Sequence, residues 1–273
     1  TTAYKNAKQL NIFAGNRTTN HFTKFVTMQK FKPIILYILI LFLSINACGQ
    51  SPELTLKINN HPGHPIKLVR FKGDQMIPVN QKSYSKGGIT FDMTGQKTGM
   101  YRIILKEAQS RREQDKAFNL IYNREAIQLE TDYHTPLENM QVLQSEENRM
   151  YYSFMDYHQT FERKMSLLNP MVEQYPKSDP FYKQVANQYL QVQKAHERYL
   201  DSIQQQQSNS FAAHVIKSYR TPLLQPEFSP EERMSYLKEH FLNTIDFQDT
   251  LLIRTPRLSQ KIIRYLSLYR NQG

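Results

Sequence analysis

Cysteine is nearly absent from this chain. Cys48 is the only one, and no thiol follows it. That excludes an internal disulfide, a Cys-x-x-Cys redox pair and a cysteine-based zinc site. A thiolate nucleophile is excluded from everything beyond position 48. Tryptophan is absent and glycine is scarce, with 9 residues. Both argue against a lectin-like, glycan-stacking surface, although tyrosine is abundant. Gly-x-Ser-x-Gly, a Walker loop and His-Glu-x-x-His are all missing, which removes the local signatures of several hydrolases and nucleotide-binding proteins. No aspartate or glutamate precedes Cys48. The formal charge of +11 is therefore unevenly spread. Six of the 35 basic side chains and none of the 24 acidic ones lie before Cys48, so the rest of the chain carries a net +5. That balance is ordinary for a soluble domain and does not point to nucleic acid.

What stands before the cysteine has a recognisable order. Met28-Gln29-Lys30-Phe31-Lys32 is short and basic, Ile34 to Leu43 is apolar, and Ser44-Ile45-Asn46-Ala47 leads into Cys48-Gly49. A basic segment, an apolar segment and a small residue before the cut make a secretory signal. A cysteine directly after Ala47 makes it resemble a lipoprotein signal, whose cysteine is diacylated and becomes the mature N-terminus. The alternative is an uncleaved membrane anchor, for which the apolar run is short. Residues 28–47 are thus read as a lipoprotein signal peptide and Cys48 as the lipidation site. The expected place is the bacterial cell envelope, lipid-anchored in the outer membrane and facing the periplasm, with Gly49 rather than Asp after the cysteine. Residues 1–27 lack an initiating methionine and a sustained apolar period. They are read as untranslated or disordered.

Residues 48–143 read as a β domain. Leu54, Leu56 and Ile58 alternate with Thr55 and Lys57, the period of a half-buried strand. Asn59 to Pro65 is dense turn chemistry. Ile66 to Phe71 alternates again. Met76 to Tyr84 contains Pro78, which predicts an edge strand or a bulge. Further alternation covers Ile89 to Met93, Tyr101 to Leu105, Phe118 to Tyr122 and Ile127 to Thr131. Short strands at regular spacing, without helices between them, predict an antiparallel β-sandwich.

Beyond Ser145 the period changes. Ser145-Glu146-Glu147 offers a cap and two carboxylates to a helix N-terminus. Met150, Phe154, His158, Phe161, Met165 and Leu168 then recur at steps of three and four, up to Asn169-Pro170, which should end or kink that helix. Asp179-Pro180 starts a second helix, with Phe181, Val185, Gln188, Val192, Ala195, Tyr199 and Ile203 on one face. These two form an expected long antiparallel helical hairpin. Shorter helices are expected over Phe211 to Tyr219, after Ser229-Pro230 and after Thr255-Pro256. The predicted fold class is therefore α+β: an N-terminal antiparallel β-sandwich followed by an all-helical domain over 144–273.

This arrangement is similar to a group of thioredoxin-like lipoproteins of the Bacteroidetes. The resembling residues are the Cys48 signal, the run from Gly87-Gly88-Ile89-Thr90-Phe91 to Gly99-Met100-Tyr101-Arg102-Ile103, and Tyr236 to Phe241. The most specific part is the phrase Asp246 to Leu258. The resemblance implies an N-terminal β-sandwich domain of unknown function and a helical segment, followed in that group by a thioredoxin-like domain. The catalytic Cys-x-x-Cys belongs to that later domain and has no counterpart here. What the resemblance implies is a non-catalytic accessory region of a thiol-disulfide oxidoreductase lipoprotein. Either a fragment or disrupted frame, or a naturally short relative, would give such a chain. A competing class is a stand-alone periplasmic binding lipoprotein for a peptide or small ligand.

Few other residues suggest chemistry. His61 and His64 flank Pro62-Gly63 but lack a third ligand nearby, and the turn explains them without metal. His158 and His196 fall on facing stretches and are read as a buried, hydrogen-bonded pair. Arg111-Arg112 is balanced by Glu113 and Asp115. The tyrosines at 151, 152, 157, 182, 189 and 199 fit a helix seam, or a cleft for a small ligand. No catalytic, metal or cofactor-binding residue is assigned. The expected partners are the membrane, through a lipid on Cys48, and a periplasmic protein or peptide, with no nucleic acid.

Overall fold

The computed structural model describes residues 52–109 and 115–270. The segment 1–27, the leader at 28–47, Cys48 and Arg111-Arg112-Glu113 lie outside the described residues. Eight strands come first: β1 (Glu53–Asn59), β2 (Pro65–Lys72), β3 (Gln75–Ser83), β4 (Ile89–Asp92), β5 (Gly99–Lys106), β6 (Lys116–Tyr122), β7 (Ile127–Asp132) and β8 (Gln141–Gln144). They form two four-stranded sheets, ordered β4-β1-β7-β8 and β3-β2-β5-β6. The described helices follow: α1 (Glu146–Gln174), α2 (Pro180–Gln206), α3 (Phe211–Lys217), α4 (Pro230–His240) and α5 (Arg257–Arg270). Strands precede helices, where the period changes from two to three and four.

The alternation in β1 is the simplest case. Leu54, Leu56 and Ile58 are buried. Leu54 pairs with Phe91 of β4 and Ile127 of β7, and Leu56 with Ile89 and Leu129. The same buried cluster takes Ile66 and Leu68 of β2, Tyr101 and Ile103 of β5, and Phe118 and Leu120 of β6. Both sheets therefore feed one core. Gly88 is obligatory at its edge. It has φ +103°, and a Cβ there would sit 2.8 Å from the Leu56 carbonyl oxygen.

Strands β2, β5 and β6 of the second sheet are buried on both faces. Phe71 of β2, Met100 of β5 and Ile121 of β6 turn away from the first core. They join Tyr151, Phe154, Leu200, Phe211 and Ile216 from the helices. Double burial explains why Ile103-Ile104-Leu105 is a continuous apolar run. All of this lies within one compact unit, Gln50–Gly273.

One pairing corrects the antiparallel expectation. β1 and β7 run parallel, with Leu54 opposite Ile127 and Asn59 opposite Asp132. The chain builds the whole second sheet between them, and parallel neighbours require such a long crossover. Alternation by two is the same for either direction, so it carries no sign of this. The Pro78 expectation holds: β3 is an edge strand, and its register with β2 shifts between Leu68–Asn80 and Val69–Pro78.

Of the two outcomes expected at Asn169-Pro170, the helix does not end there: α1 continues to Gln174 with Pro170 inside it. On α2 the buried face is rotated. Phe181 and Gln188 are exposed, while Tyr182, Ala186, Tyr189, Gln193, His196 and Leu200 are buried beside Val185, Val192 and Ile203. The rotation arises because α2 has a second neighbour. The Gln193 amide donates to the Leu224 carbonyl (3.0 Å) and accepts from its N–H (2.8 Å), and the Tyr182 hydroxyl donates to the Pro226 carbonyl (2.9 Å). Toward α1, the shared cluster is Phe161, Met165 and Val172 with Val185, Tyr189 and Val192.

Candidate functional site

His158 of α1 and His196 of α2 meet in an aromatic stack. His158 lies against Phe154, and His196 against Phe161 with ring centroids 3.9 Å apart. His158 Nδ1 and His196 Nε2 are 3.2 Å apart, so one ring donates its N–H to the other. Burial pushes His158 down to about 4, aided by the charges of His196, Arg257 and Arg264. Burial, then Arg220, brings His196 to about 4 as well. Both rings are therefore neutral at pH 7, and one ring's N–H donates to the bare nitrogen of the other. The pair expected from the sequence is thus present.

Next to it opens a basic cavity of about 110 Å³. His158, Glu162, Tyr219, Arg257, Lys261 and Arg264 line it. Arg257, Lys261 and Arg264 come from one helix, spaced by four and three, which puts them on one face of α5. The Arg257 guanidinium lies 3.5 Å over the Tyr219 ring, with Nε donating to Ser218 Oγ (3.4 Å) and Nη1 to Gln260 Oε1 (3.2 Å). Arg264 stands over Phe241, 5.9 Å from the ring centre.

Lys261 is the unusual member. It is 5% exposed, and its ammonium donates to Ser218 O (3.2 Å), Arg220 O (2.6 Å) and Thr244 Oγ1 (2.6 Å). Burial, then the charges of Arg257, Arg264 and Arg220, lower it to about 7, with only Glu197 opposing. Two of the carboxylates nearby are engaged elsewhere, since Arg220 pairs with both Glu197 and Asp201; Glu162, at the cavity wall, lies 3.6 Å from the neutral His158 Nε2. Lys261 escapes a reading for apolar faces, which picks out Leu258, Ile262 and Tyr265 on this helix. The signal that finds it is the spacing Arg257-x-x-x-Lys261-x-x-Arg264, three like charges on one face.

The other sequence candidates resolve differently. His61 Nδ1 accepts the Gly63 N–H (3.1 Å), and its ring packs on Tyr84 and Tyr133, while His64 is exposed. Among the described residues no group of three or more His, Cys, Asp or Glu is placed to hold a metal ion. Of the six tyrosines, Tyr151, Tyr182 and Tyr189 are buried. Tyr152 donates to Asn119 O (2.6 Å), and Tyr157 lines a shallow groove with Phe161 and Val192. A second basic cleft, about 470 Å³, lies where β1 begins, lined by Pro52, Lys97, Arg124 and Arg254 among others. Among the described residues no helix is long and apolar enough to cross a membrane. Comparison with protein-family models, with curated proteins and with solved structures finds no match.

Proposed function

We propose that this chain is a lipid-anchored, non-catalytic module of the bacterial cell envelope, held by a lipid on Cys48 at the outer membrane and facing the periplasm. In this reading it is the accessory N-terminal part of a thioredoxin-like thiol-disulfide oxidoreductase lipoprotein. The observation that carries it is the sole cysteine directly after a basic and then apolar leader ending in Ala47. Two features add support. Four positions separate Cys48 from Pro52, at most about 14 Å of extended chain, so a lipid at Cys48 holds the β1 entrance close to the headgroups. That entrance carries Lys97, Arg124 and Arg254, a charge that suits an anionic surface. The finer architecture belongs to the same proposal. The two sheets face each other as a β-sandwich, since both supply one core. α1 and α2 form an antiparallel helical hairpin around the cluster of Phe161, Met165, Val185 and Val192.

Mass spectrometry of the membrane-bound product tests the anchor. A mature N-terminus at diacylated Cys48 is expected, and an intact peptide across Ala47-Cys48 overturns the reading. Insulin reduction by the purified chain tests the absence of activity. The only thiol is the acylated one, so no turnover is expected, and robust reduction overturns it. One observation favours a second reading, a stand-alone binding lipoprotein for a small ligand: the basic cavity on α5 has more cations than carboxylates to match them.

A further inference from the structure

We propose that the cavity between α1, Tyr219 and α5 is a binding site for a phosphate group, held by Arg257 and Arg264. The inference deepens the second reading and rests on it.

The case begins with charge. α5 places three cations on one face at four- and three-residue steps, an arrangement that disfavours the helix because like charges repel at that spacing. Arg220 adds a fourth cation at the wall. Against them stand Glu197 and Asp201, both already engaged by Arg220, and Glu162, which lies nearest to His158. Among the described residues no carboxylate pairs with Arg257 or Arg264. Arg257 and Arg264 share the cavity with one carboxylate, Glu162, and an anion bound there offsets the repulsion between the cations.

The donors are aimed and partly free. Arg257 spends Nε and Nη1 on Ser218 and Gln260 and is fixed in place by Tyr219 beneath it. Stacked guanidinium groups of this kind are preorganised for bidentate contact with oxyanions. Among the described residues, the Phe241 ring is what stands against the Arg264 guanidinium. Lys261 in its protonated form commits its three N–H groups to Ser218, Arg220 and Thr244. Lowered to about 7, it takes up a proton as an anion binds beside it and then supplies field rather than contact.

Charge and size select the ligand class. Two arginines, joined by a lysine that gains its proton as the anion binds, suit a dianion better than a single carboxylate. A phosphate group carries about −1.5 to −2 at neutral pH and offers three acceptor oxygens. The cavity of about 110 Å³ equals the liquid volume of roughly three to four waters. It takes the phosphate group itself and leaves the remainder of a larger ligand in solvent.

The test is calorimetric and phosphorus NMR titration of the full chain in detergent near pH 7.5, with inorganic phosphate in one arm and glycerol 3-phosphate in the other, at constant ionic strength. Saturable binding in at least one arm is expected. Equal affinity in both assigns recognition to the phosphate alone, and tighter glycerol 3-phosphate assigns it to an organic phosphomonoester. Arg264→Gln, at an exposed position, should weaken binding by about tenfold or more, the loss of one charge-assisted contact. Arg163→Gln removes an equal charge from the exposed surface of α1 and should change nothing. The proposal is overturned if neither probe binds saturably, if Arg264→Gln binds like the parent, or if acetate competes at equal concentration. Binding of tetraglutamate without binding of either phosphate probe would also overturn it, while leaving the small-ligand reading in place.

Discussion

The side chain of Asn148 closes both backbone groups of Ile121. Its Oδ1 accepts the Ile121 N–H at 2.8 Å, and its Nδ2 donates to the Ile121 carbonyl at 2.7 Å. β6 is an edge of its sheet, so these groups have no neighbouring strand. The first turn of α1 supplies the missing partner in the form of an amide, and it covers the edge at the same time. Ser145 holds the arrangement: its Oγ accepts from both the Asn148 N–H and Nδ2. One turn of helix is thereby locked to one strand.

Asn148→Ala should therefore be costly. It leaves a buried N–H and a buried carbonyl unpaired, each worth roughly 1–3 kcal/mol. A loss of about 2–4 kcal/mol in urea unfolding is expected, with the slope against urea unchanged. A loss below about 1 kcal/mol would mean that water replaces the amide.

The helix seam gives a second expectation. Phe161 is 8% exposed, stacks on His196, and shares a cluster with Met165, Val185 and Val192. Phe161→Ala should cost about 3–5 kcal/mol, the usual range for truncating a buried aromatic. Phe161→Leu should recover more than half of that, because it restores most of the volume. Equal losses in the two variants would place the cost in the ring stack instead.

The histidine pair should make the fold acid-sensitive. His158 and His196 fall to about 4 in the folded chain, from an ordinary 6.5. Between those values the unfolded chain binds protons that the folded chain does not, so stability drops as pH falls from about 6.5 to about 4. Each histidine contributes on the order of 2 kcal/mol between pH 7 and pH 5, so the pair should lose about 4 kcal/mol. The groups facing the pair are Glu162 on α1, Arg220, and Arg257 and Arg264 on α5. The double variant His158→Phe, His196→Phe should flatten this part of the pH profile in chemical denaturation. An unchanged slope would assign the acid sensitivity to other groups.

How far the sequence is legible depends on what each signal measures. Alternation in β1 reports burial on one face, and it was readable because that sheet has one covered side at Leu54, Leu56 and Ile58. It cannot report direction, so the parallel register of β1 with β7 was hidden. On α2 the apolar residues set the face one position away from the true one. The polar members Gln193 and His196 are buried through hydrogen bonds that depend on distant Leu224 and His158. Glu147 was legible as a residue for the start of its own helix. Its carboxylate instead accepts the N–H groups of Phe211 (3.1 Å) and Ala212 (2.6 Å) at the start of α3, and the Asn123 amide (2.6 Å). Only the fold brings those groups together. The basic cavity is half legible. The spacing of Arg257, Lys261 and Arg264 is plain, whereas the walls from Tyr219 and α1 are not.

Lys261 provides the sharpest test, because its effect lies in a pH window of its own. Its ammonium falls to about 7 in the folded chain, from an ordinary 10.5. Between those values the unfolded chain is protonated at this site and the folded chain is not. Stability attributable to Lys261 therefore rises from about pH 7 upward and is fully present only above about 10. The charged groups around it are Arg257 and Arg264 on α5, Arg220, and Glu197 on α2, with His158 and Glu162 at the cavity. His158 and His196 act mostly below pH 7. The buried tyrosines act in the opposite sense, but later: Tyr101 is pushed up to about 12 by burial, and such groups lower stability only above about pH 10. Urea midpoints between pH 7 and pH 9.5 should therefore climb in the parent chain. Lys261→Met removes the titrating group and leaves the Ser218 and Arg220 carbonyls without their donor, so absolute stability should fall while the slope in this window flattens. A phosphate bound between Arg257 and Arg264 offsets the charge that depresses Lys261 and raises its affinity for the proton. Saturating phosphate should then flatten the parent's slope toward that of the variant and leave the variant's own slope unchanged. A parent slope that phosphate does not move would separate the lysine from the cavity and place its depression in burial alone.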